Sequence, residues 1–163
     1  MISQNDNKNT AKTQRKILFV CTGNTCRSPM AEYYFNSEMK KRGKESEITA
    51  YSRGLYAERG SYMSGNAKKV LVSNNIAENM DDIQHQSGQV DDEAVKEAEL
   101  IYGITANHEL RLKEEFPKFK DKILCMPEDI NDPYGGSLEI YEQCFKYIKN
   151  SVDIIIKSLT EDT

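Results

Sequence analysis

The sequence predicts one α/β domain, a doubly wound sandwich with a four-stranded parallel sheet and helices on both faces. Its 163 residues are 38% hydrophobic, which is enough for one core and too little for two ordinary domains. Short apolar runs alternate with longer stretches of helical periodicity, as in a parallel sheet connected by helices. Since no linker or internal repeat divides the chain, we expect a disordered polar tail over 1–15 and a single domain over 16–163.

Four continuous apolar runs are predicted to form the strands. Strands of a parallel sheet are covered on both faces, so they read as unbroken hydrophobic segments rather than as alternating ones. The runs extend from Ile17 to Cys21, from Ile48 to Ser52, from Leu100 to Ile104 and from Ile123 to Met126.

The helices are predicted from apolar side chains that recur at steps of three and four residues. The first lies between the first two strands and ends before Gly43, a typical carboxyl-terminal stop. Two shorter helices, around 67–71 and 94–98, are joined by a long connection. The last runs from 138 to 159, with Ser137 placed to cap its start. Right-handed crossovers then cover both faces of the sheet.

Charge and composition exclude several functional classes. With 22 basic and 26 acidic residues, the net charge of -4 offers no general footprint for nucleic acid. No segment approaches the roughly 20 consecutive apolar residues of a membrane helix. The polar start of the chain lacks the apolar centre of a secretory signal, so we expect a cytoplasmic protein with no nucleic-acid or membrane partner.

The loop from Cys21 to Ser28 is the predicted centre of the chemistry. It follows a buried strand and leads directly into a helix, with Pro29 in the first turn. Such a loop can turn several backbone N–H groups inward, and the helix adds its positive dipole end, so a tetrahedral dianion can bind there. The predicted phosphate-binding residues are Thr22, Gly23, Asn24, Thr25, Cys26 and Ser28.

Two side chains in this loop are predicted to act on the bound anion. Cys21 is the candidate nucleophile, since the N–H groups, the helix end and Arg27 all favour its thiolate. Arg27, six positions later, can hold two phosphate oxygens with its planar guanidinium. The Ser28 hydroxyl can donate to the sulfur, or merely cap the helix. The plainer alternative, a turn whose cysteines only pack, does not account for so many matched residue types at one strand end.

A general acid is predicted at Asp132. Its segment follows the last strand and therefore emerges at the same edge of the sheet as Cys21. A carboxyl group there could protonate the leaving group and then accept a proton from water. An ordinary Asp-Pro turn is the simpler interpretation of this stretch alone, and Asp129 and Glu128 are competing candidates.

The remaining cysteines and the histidines predict no metal site. Cys21 and Cys26 have no companion ligand at zinc spacing, and both histidines are distant in sequence. Cys125 and Cys144 are expected to be buried packing residues. Cys26 is close enough to form a protective, reversible disulfide with an oxidised Cys21.

These segments resemble the low-molecular-weight protein tyrosine phosphatase family. The resemblance rests on a Cys, five residues, Arg-Ser pattern and a late Asp-Pro, and it extends from about residue 16 to the end of the chain. It implies a phosphocysteine intermediate on Cys21, phosphate binding by Arg27 and leaving-group protonation by Asp132, without metal or organic cofactor. The implied partner is a phosphorylated protein substrate.

The resemblance also implies a network that supports the loop asparagine. It would consist of Asn24, Ser28, Ser52 and His85, although His85 taken alone is typical of a surface histidine. The family's usual Ser-Ala-Gly after the second strand is replaced here by Ser52-Arg53-Gly54.

Substrate preference is suggested by the residues around the two loops. Thr25 stands where tyrosine-directed members commonly carry a bulky aliphatic residue, and Tyr134 is followed by two glycines rather than by another tyrosine. This combination is similar to the bacterial protein arginine phosphatases, which implies phosphoarginine substrates and an opposing protein arginine kinase. Tyr134 and Tyr56 are candidate walls of the substrate slot. A phosphotyrosine phosphatase is the alternative.

Two readings from other classes remain open. A thiol-dependent arsenate reductase would share the fold and the anion loop, but it needs additional redox cysteines, and Cys125 and Cys144 are not spaced as a mobile relay. A noncatalytic phosphate-binding module would keep the cradle and dispense with Asp132.

Overall fold

The computed structural model describes residues 13–161 and contains a four-stranded sheet with five α-helices. Two short 3₁₀ helices, Met80–Asp82 and Pro117–Lys122, lie in the connections. In chain order the elements are β1 (Arg15–Cys21), α1 (Arg27–Lys41), β2 (Ile48–Gly54), α2 (Gly65–Ser73), α3 (Asp92–Glu97), β3 (Leu100–Gly103), α4 (Ala106–Glu115), β4 (Ile123–Cys125) and α5 (Leu138–Thr160).

The sheet is parallel throughout, and its strands lie in the order β2-β1-β3-β4. The chain therefore leaves β1 toward one side to form β2 and later returns on the other side to form β3. In parallel sheets the crevice at such a reversal is the usual ligand site. The loop after β1 lies at that crevice, and the carboxyl ends of all four strands lie at the same edge.

Both faces of the sheet are covered, which confirms the predicted fold class. Side chains of β1 alternate between two buried clusters: Ile17 and Phe19 belong to one, and Leu18 and Val20 to the other. The first cluster includes side chains of α1, α2 and α5, and the second includes those of α3 and α4. The strands are buried from both sides because each face has its own layer of helices.

The predicted helix signals agree with the observed ends. Ser137 precedes α5, and its hydroxyl accepts a hydrogen bond from the Ile140 N–H at 3.4 Å. Gly43 lies just beyond α1 with a φ of 65°, a left-handed conformation that glycine adopts without steric cost. The two shorter helices, α2 and α3, are separated by a long connection as predicted, although Ala98 lies outside α3.

Helix α4 was not predicted, and the strand ends differ by up to two residues. Within α4 the buried side chains are His108 and Leu112, so the apolar stripe is too narrow to stand out among its charged residues. Strand β1 begins at Arg15, which the sequence assigned to the tail; the Arg15 guanidinium bonds the Glu99 carboxylate at 2.8 Å. Gln14 is also described, and its side-chain amide donates to the Glu45 carbonyl at 2.9 Å. Residues 1–12 of the predicted tail lie outside the described residues.

Among the described residues, none of the helices combines the length and the apolar character that crossing a membrane requires. Even α5, with 23 residues, carries charged side chains along its exposed side.

Candidate active site

The loop between β1 and α1 places a buried thiol beneath the open end of a helix. Cys21 is the last residue of β1 and is only 2% exposed. Helix α1 begins at Arg27, and within the described chain the side chain of the preceding Cys26 makes no capping hydrogen bond. The amide groups of the first turn are therefore left for another acceptor, and an anion is the natural one.

The carbonyl groups of this loop point outward, toward the segments that surround it. A methyl group on Gly54 would come within 2.5 Å of the Thr22 carbonyl oxygen, so only glycine permits this close approach. Because the carbonyls face outward, amide groups remain on the inner side of the loop. The outward bonds run from Leu55 N to Cys21 O at 2.9 Å, from Tyr56 N to Thr22 O at 2.9 Å and from Ser64 N to Thr25 O at 3.0 Å.

Asn24 holds the loop in shape with every polar atom of its side chain. It is completely buried and has a φ of 58°, a left-handed conformation that asparagine tolerates better than most residues. Its amide nitrogen donates to the hydroxyl oxygens of Ser28 at 2.8 Å and Ser52 at 2.9 Å. Its amide oxygen accepts from the Gly88 N–H at 3.0 Å.

The backbone carbonyl of Asn24 is held from the segment 85–88. His85 Nε2 lies 2.8 Å from it, and the Ser87 hydroxyl donates to it at 2.9 Å. His85 is only 8% exposed, so it is not the surface histidine that its local sequence suggests. Burial lowers the pKa of His85, and the neutral ring must carry its proton on Nε2, since a carbonyl oxygen can only accept. Ser87 and Gly88 were not identified from the sequence.

The Cys21 sulfur has two polar neighbours inside the loop. The Ser28 hydroxyl oxygen lies 2.9 Å from it, and the Asn24 backbone N–H donates to it at 3.3 Å. Both groups can donate a hydrogen bond toward the sulfur, which is the arrangement that a thiolate nucleophile needs.

Arg27 connects this loop to the segment that follows β4. Its Nη1 donates to the Ile130 carbonyl at 2.9 Å, and its Nη2 lies 3.8 Å from a carboxylate oxygen of Asp132. The guanidinium is almost fully buried, whereas 54% of the Asp132 side chain is exposed. Arg27 therefore connects the phosphate loop, in which its own side chain is buried, to the loop around the exposed Asp132.

Asp132 is the carboxyl group that faces the loop. It lines a cavity of about 190 Å³ together with residues 21–27 and Tyr134. Its other oxygen accepts from the Tyr134 N–H at 3.1 Å, which forms a local turn. Of the competing carboxyls, Asp129 accepts from the Ala106 N–H at 2.8 Å and so serves the start of α4, while Glu128 is exposed to solvent.

The predicted specificity residues lie at the mouth of this cavity. Thr25 and Tyr134 line the cavity itself, and Tyr134 is 76% exposed. Tyr56 lines an adjoining groove of about 340 Å³ that also includes Thr25, Tyr134 and Glu58. The Arg111 guanidinium lies over the Tyr56 ring, 5.4 Å from its centre, and bonds its hydroxyl. Tyr134 thus borders the phosphate cavity itself, whereas Tyr56 borders the adjoining groove.

His108 is a site residue that sequence reasoning missed. Its Nε2 lies 2.9 Å from the Thr22 hydroxyl, while its Nδ1 accepts from the backbone N–H of Thr105 at 3.1 Å. Burial, with the positive charge of Arg27, lowers the pKa of His108 to about 4, so the ring is neutral and donates to Thr22. The usable signal was the Thr-x-x-His spacing directly after β3, which forms a capping box at the start of α4.

The four cysteines are all free thiols, but their surroundings differ. The Cys26 sulfur is buried and lies 3.3 Å from the Tyr141 hydroxyl. Cys144 is also buried, and burial raises its pKa to about 12. Cys125 was expected to be buried but is half-exposed, because β4 is the edge strand; its hydrogen bond with Glu109 raises its pKa. Within residues 13–161, no group of three or more acidic, histidine or cysteine side chains is arranged to hold a metal.

The chain was compared with known families and proteins. The family model described as low molecular weight phosphotyrosine protein phosphatase matches residues 16–163. A protein-arginine-phosphatase of Bacillus subtilis is 32% identical over 153 residues, which are 90% of this chain and 97% of that protein. The low molecular weight protein-tyrosine-phosphatase PtpB of Staphylococcus haemolyticus is 34% identical over 139 residues, which are 82% of this chain and 91% of that protein.

A solved structure supports the same likeness in three dimensions. The crystal structure of a YwlE mutant from Bacillus subtilis superposes with a TM-score of 0.83 at 29% identity, covering 91% of this chain and all of the other. Sequence identity to the relatives named for arginine and for tyrosine is nearly equal. The choice between phosphoarginine and phosphotyrosine as substrate therefore depends on the residues at the site.

Proposed function

Because this chain belongs to the low molecular weight phosphotyrosine protein phosphatase family, we propose that it hydrolyses phosphoarginine in proteins. It is a cysteine-dependent protein phosphatase. The phosphoarginine assignment depends on one observation above all: Thr25, a small polar residue, lines the mouth of the phosphate cavity beside Tyr134.

In the first step the Cys21 thiolate attacks the phosphorus atom. A sulfur–phosphorus bond forms, the phosphorus–nitrogen bond breaks, and the nitrogen takes its bonding electron pair and a proton from the Asp132 carboxyl. Arg27 and the inward amides hold the phosphoryl oxygens, whose charge redistributes in the transition state. The 3.8 Å separation between Arg27 and Asp132 brings acid and phosphate to the same cavity.

In the second step water attacks the phosphocysteine. An oxygen–phosphorus bond forms and the sulfur–phosphorus bond breaks, which releases phosphate and restores the thiolate. The proton of the water passes to the Asp132 carboxylate, which is exposed enough to admit water. The Ser28 hydroxyl, 2.9 Å from the sulfur, stabilises the departing thiolate by donating a hydrogen bond to it.

Discrimination between arginine and tyrosine is proposed to arise at Thr25. A phosphoarginine brings a polar guanidinium to the mouth of the cavity, whereas phosphotyrosine brings a flat apolar ring. Thr25 leaves space for the guanidinium group and offers it a polar hydroxyl. The aromatic side chains of Tyr134 and Tyr56 are the observation that keeps phosphotyrosine as the second candidate, since they could stack on a phenyl ring.

The other readings receive less support. An arsenate reductase would need Cys125 or Cys144 as a reactive thiolate, yet the pKa of each is raised. A module that only binds phosphate would not need a carboxyl at the position of Asp132. The proposed opposing partner is a protein arginine kinase, and cytoplasmic location remains a prediction from the sequence.

The decisive experiment compares initial rates on matched phosphoarginine and phosphotyrosine peptides. We expect wild type to prefer phosphoarginine and Thr25→Ile to shift the ratio of kcat/KM values toward phosphotyrosine by at least about tenfold. Thr25→Val keeps the shape and removes the hydroxyl, so it separates polarity from size. A wild-type preference for phosphotyrosine would overturn the substrate assignment, and full activity of Cys21→Ser would overturn the mechanism.

A further inference from the structure

A carboxyl group on α1 lies behind the phosphate loop, outside the cavity described above. Glu32 is half-buried, and its side chain faces β2 rather than solvent. The Ser52 hydroxyl donates to its Oε1 at 3.0 Å. Sequence analysis did not single out Glu32, because a glutamate in the second turn of a helix is usually a solvated residue.

Four hydrogen bonds connect this carboxyl group to the nucleophile without a gap. Glu32, Ser52 and Ser28 lie outside the cavity lining, and the chain reaches the cavity at Asn24 and Cys21. From Glu32 the chain passes to Ser52 at 3.0 Å, to Asn24 at 2.9 Å, to Ser28 at 2.8 Å and to the Cys21 sulfur at 2.9 Å.

Counting the donor protons shows which group donates and which accepts in each of these hydrogen bonds. Ser52 has one hydroxyl proton, which a carboxylate at Glu32 attracts, so the Ser52 oxygen is free to accept from Asn24. The Asn24 amide has two protons and uses one for Ser52 and the other for Ser28.

Ser28 is thereby left with its own proton for the sulfur. Its oxygen already accepts from Asn24, and its competing acceptor, the Arg53 carbonyl, lies farther away at 3.4 Å than the sulfur at 2.9 Å. The Asn24 amide nitrogen can only donate, so each serine oxygen accepts from it and turns its own proton to the far end of the chain, Ser52 to the Glu32 carboxylate and Ser28 to the Cys21 sulfur.

We propose that Glu32 is a positioning residue: as a carboxylate it orients the hydrogen-bond chain through Ser52 and Asn24 so that the Ser28 proton points at the Cys21 sulfur. The inference rests on the proposed role of Cys21 as nucleophile. It adds to that role a control from behind the loop, by a group that touches neither substrate nor phosphate.

The charge of Glu32 changes in the neutral pH range. Burial raises the pKa of its carboxyl group from 4.5 to about 7, while the Ser52 bond and the Arg53 charge oppose that rise. Tyr33 is the titratable neighbour on α1, and the charge of Arg53 acts on both Glu32 and His85. Below about pH 7 the protonated Glu32 can donate to Ser52 instead of accepting, and the chain loses the end that orients it.

The test uses Glu32→Gln, which keeps the shape and removes the titration. Two readouts are followed from pH 5.5 to pH 8.5: kcat and KM for p-nitrophenyl phosphate, and the alkylation rate of Cys21 by iodoacetamide. We expect kcat at pH 8 to fall about tenfold, the energy of one hydrogen bond to a charged group, with KM little changed. In wild type we expect the alkylation rate of Cys21 to rise with pH near pH 7, and in Glu32→Gln this rise should be absent.

Three further variants make the result specific. Ser52→Ala breaks the same chain in its middle, so adding Glu32→Gln to it should cause no further loss of kcat. Glu38→Gln, on the same helix but paired with Lys41 and Arg42, should behave as wild type. Glu32→Asp, whose shorter side chain keeps the charge, should retain the rise near neutral pH if Glu32→Gln proves unfolded.

Unchanged kcat and pH profiles in Glu32→Gln, or full additivity with Ser52→Ala, would overturn the positioning role. That failure is distinct from failure of the proposed function, because the alkylation readout needs no phosphorylated substrate. If phosphopeptides are not hydrolysed while Cys21 alkylation still depends on Glu32, the substrate assignment falls and the hydrogen-bond chain stands.

Discussion

The two loops that form the cavity are built in opposite ways. The loop from Cys21 to Arg27 has four buried residues, Cys21, Asn24, Cys26 and Arg27, and is bonded to its surroundings at almost every residue. Asn24 uses all of its side-chain polar atoms in these bonds. The loop around Asp132 is exposed and is held mainly by Arg27 and by its own turn. A phosphate cradle must be in place before the substrate arrives, whereas the acid must exchange protons with water.

Arg27 is the residue that both loops share, so its replacement should have the largest effect. In Arg27→Lys the ammonium group cannot hold two phosphate oxygens and the Ile130 carbonyl at once. We expect kcat/KM to fall by roughly 10³-fold, measured as initial rates on a phosphopeptide. A loss below tenfold would indicate that the two loops are held together without this guanidinium.

Asp132→Asn should remove the acid and leave the cradle intact. We expect kcat to fall by roughly 10²-fold, with less loss for a substrate whose leaving group needs no proton. Because Asp132 is exposed, the free energy of unfolding in urea should change by less than about 0.5 kcal/mol. Equal losses for good and poor leaving groups would contradict its role as acid.

Asn24→Ala should show the reverse pattern, with a clear loss of stability. The substitution leaves the buried Gly88 N–H without its acceptor and Ser28 and Ser52 without their donor. We expect the free energy of unfolding to fall by about 2–4 kcal/mol and kcat by roughly tenfold. If Asn24→Ala unfolds like wild type, the contrast between the two loops is not one of rigidity.

Glu32→Gln should change how stability depends on pH. The folded pKa of about 7 exceeds the usual 4.5, so this group contributes stability below pH 4.5 that is lost as pH rises through 7. The free energy of unfolding of Glu32→Gln minus that of wild type should therefore be roughly 2 kcal/mol larger at pH 8 than at pH 5, measured by urea unfolding at both pH values. An unchanged difference between the two pH values would mean that the carboxyl is not desolvated.

The parts of the site that the sequence predicted are those with a local pattern. The run before Cys21 is apolar throughout, and the residues up to Ser28 combine constraints that a packing turn would not need. The tyrosines could be placed only at the rim in general, since no pattern separates Tyr134, which borders the phosphate cavity, from Tyr56, which borders the adjoining groove.

The parts that were missed depend on contacts between distant segments. Ser87 and Gly88 approach Asn24 across more than sixty positions, and His108 approaches Thr22 across 86, from stretches without a strong period. Their side chains are small or lie on a helix with a narrow apolar stripe, so burial left no mark on the sequence. His85 could be placed only through family resemblance, for the same reason.

The open amino-terminal end of α1 has a consequence for the enzyme at work. The donors that hold the phosphoryl group of a substrate are equally suited to free phosphate, which is a tetrahedral dianion of the same size. Each turnover therefore ends with the cradle occupied by its own product. We therefore expect free phosphate to compete with the substrate for the cradle, so the rate of dephosphorylation should fall as the surrounding phosphate concentration rises.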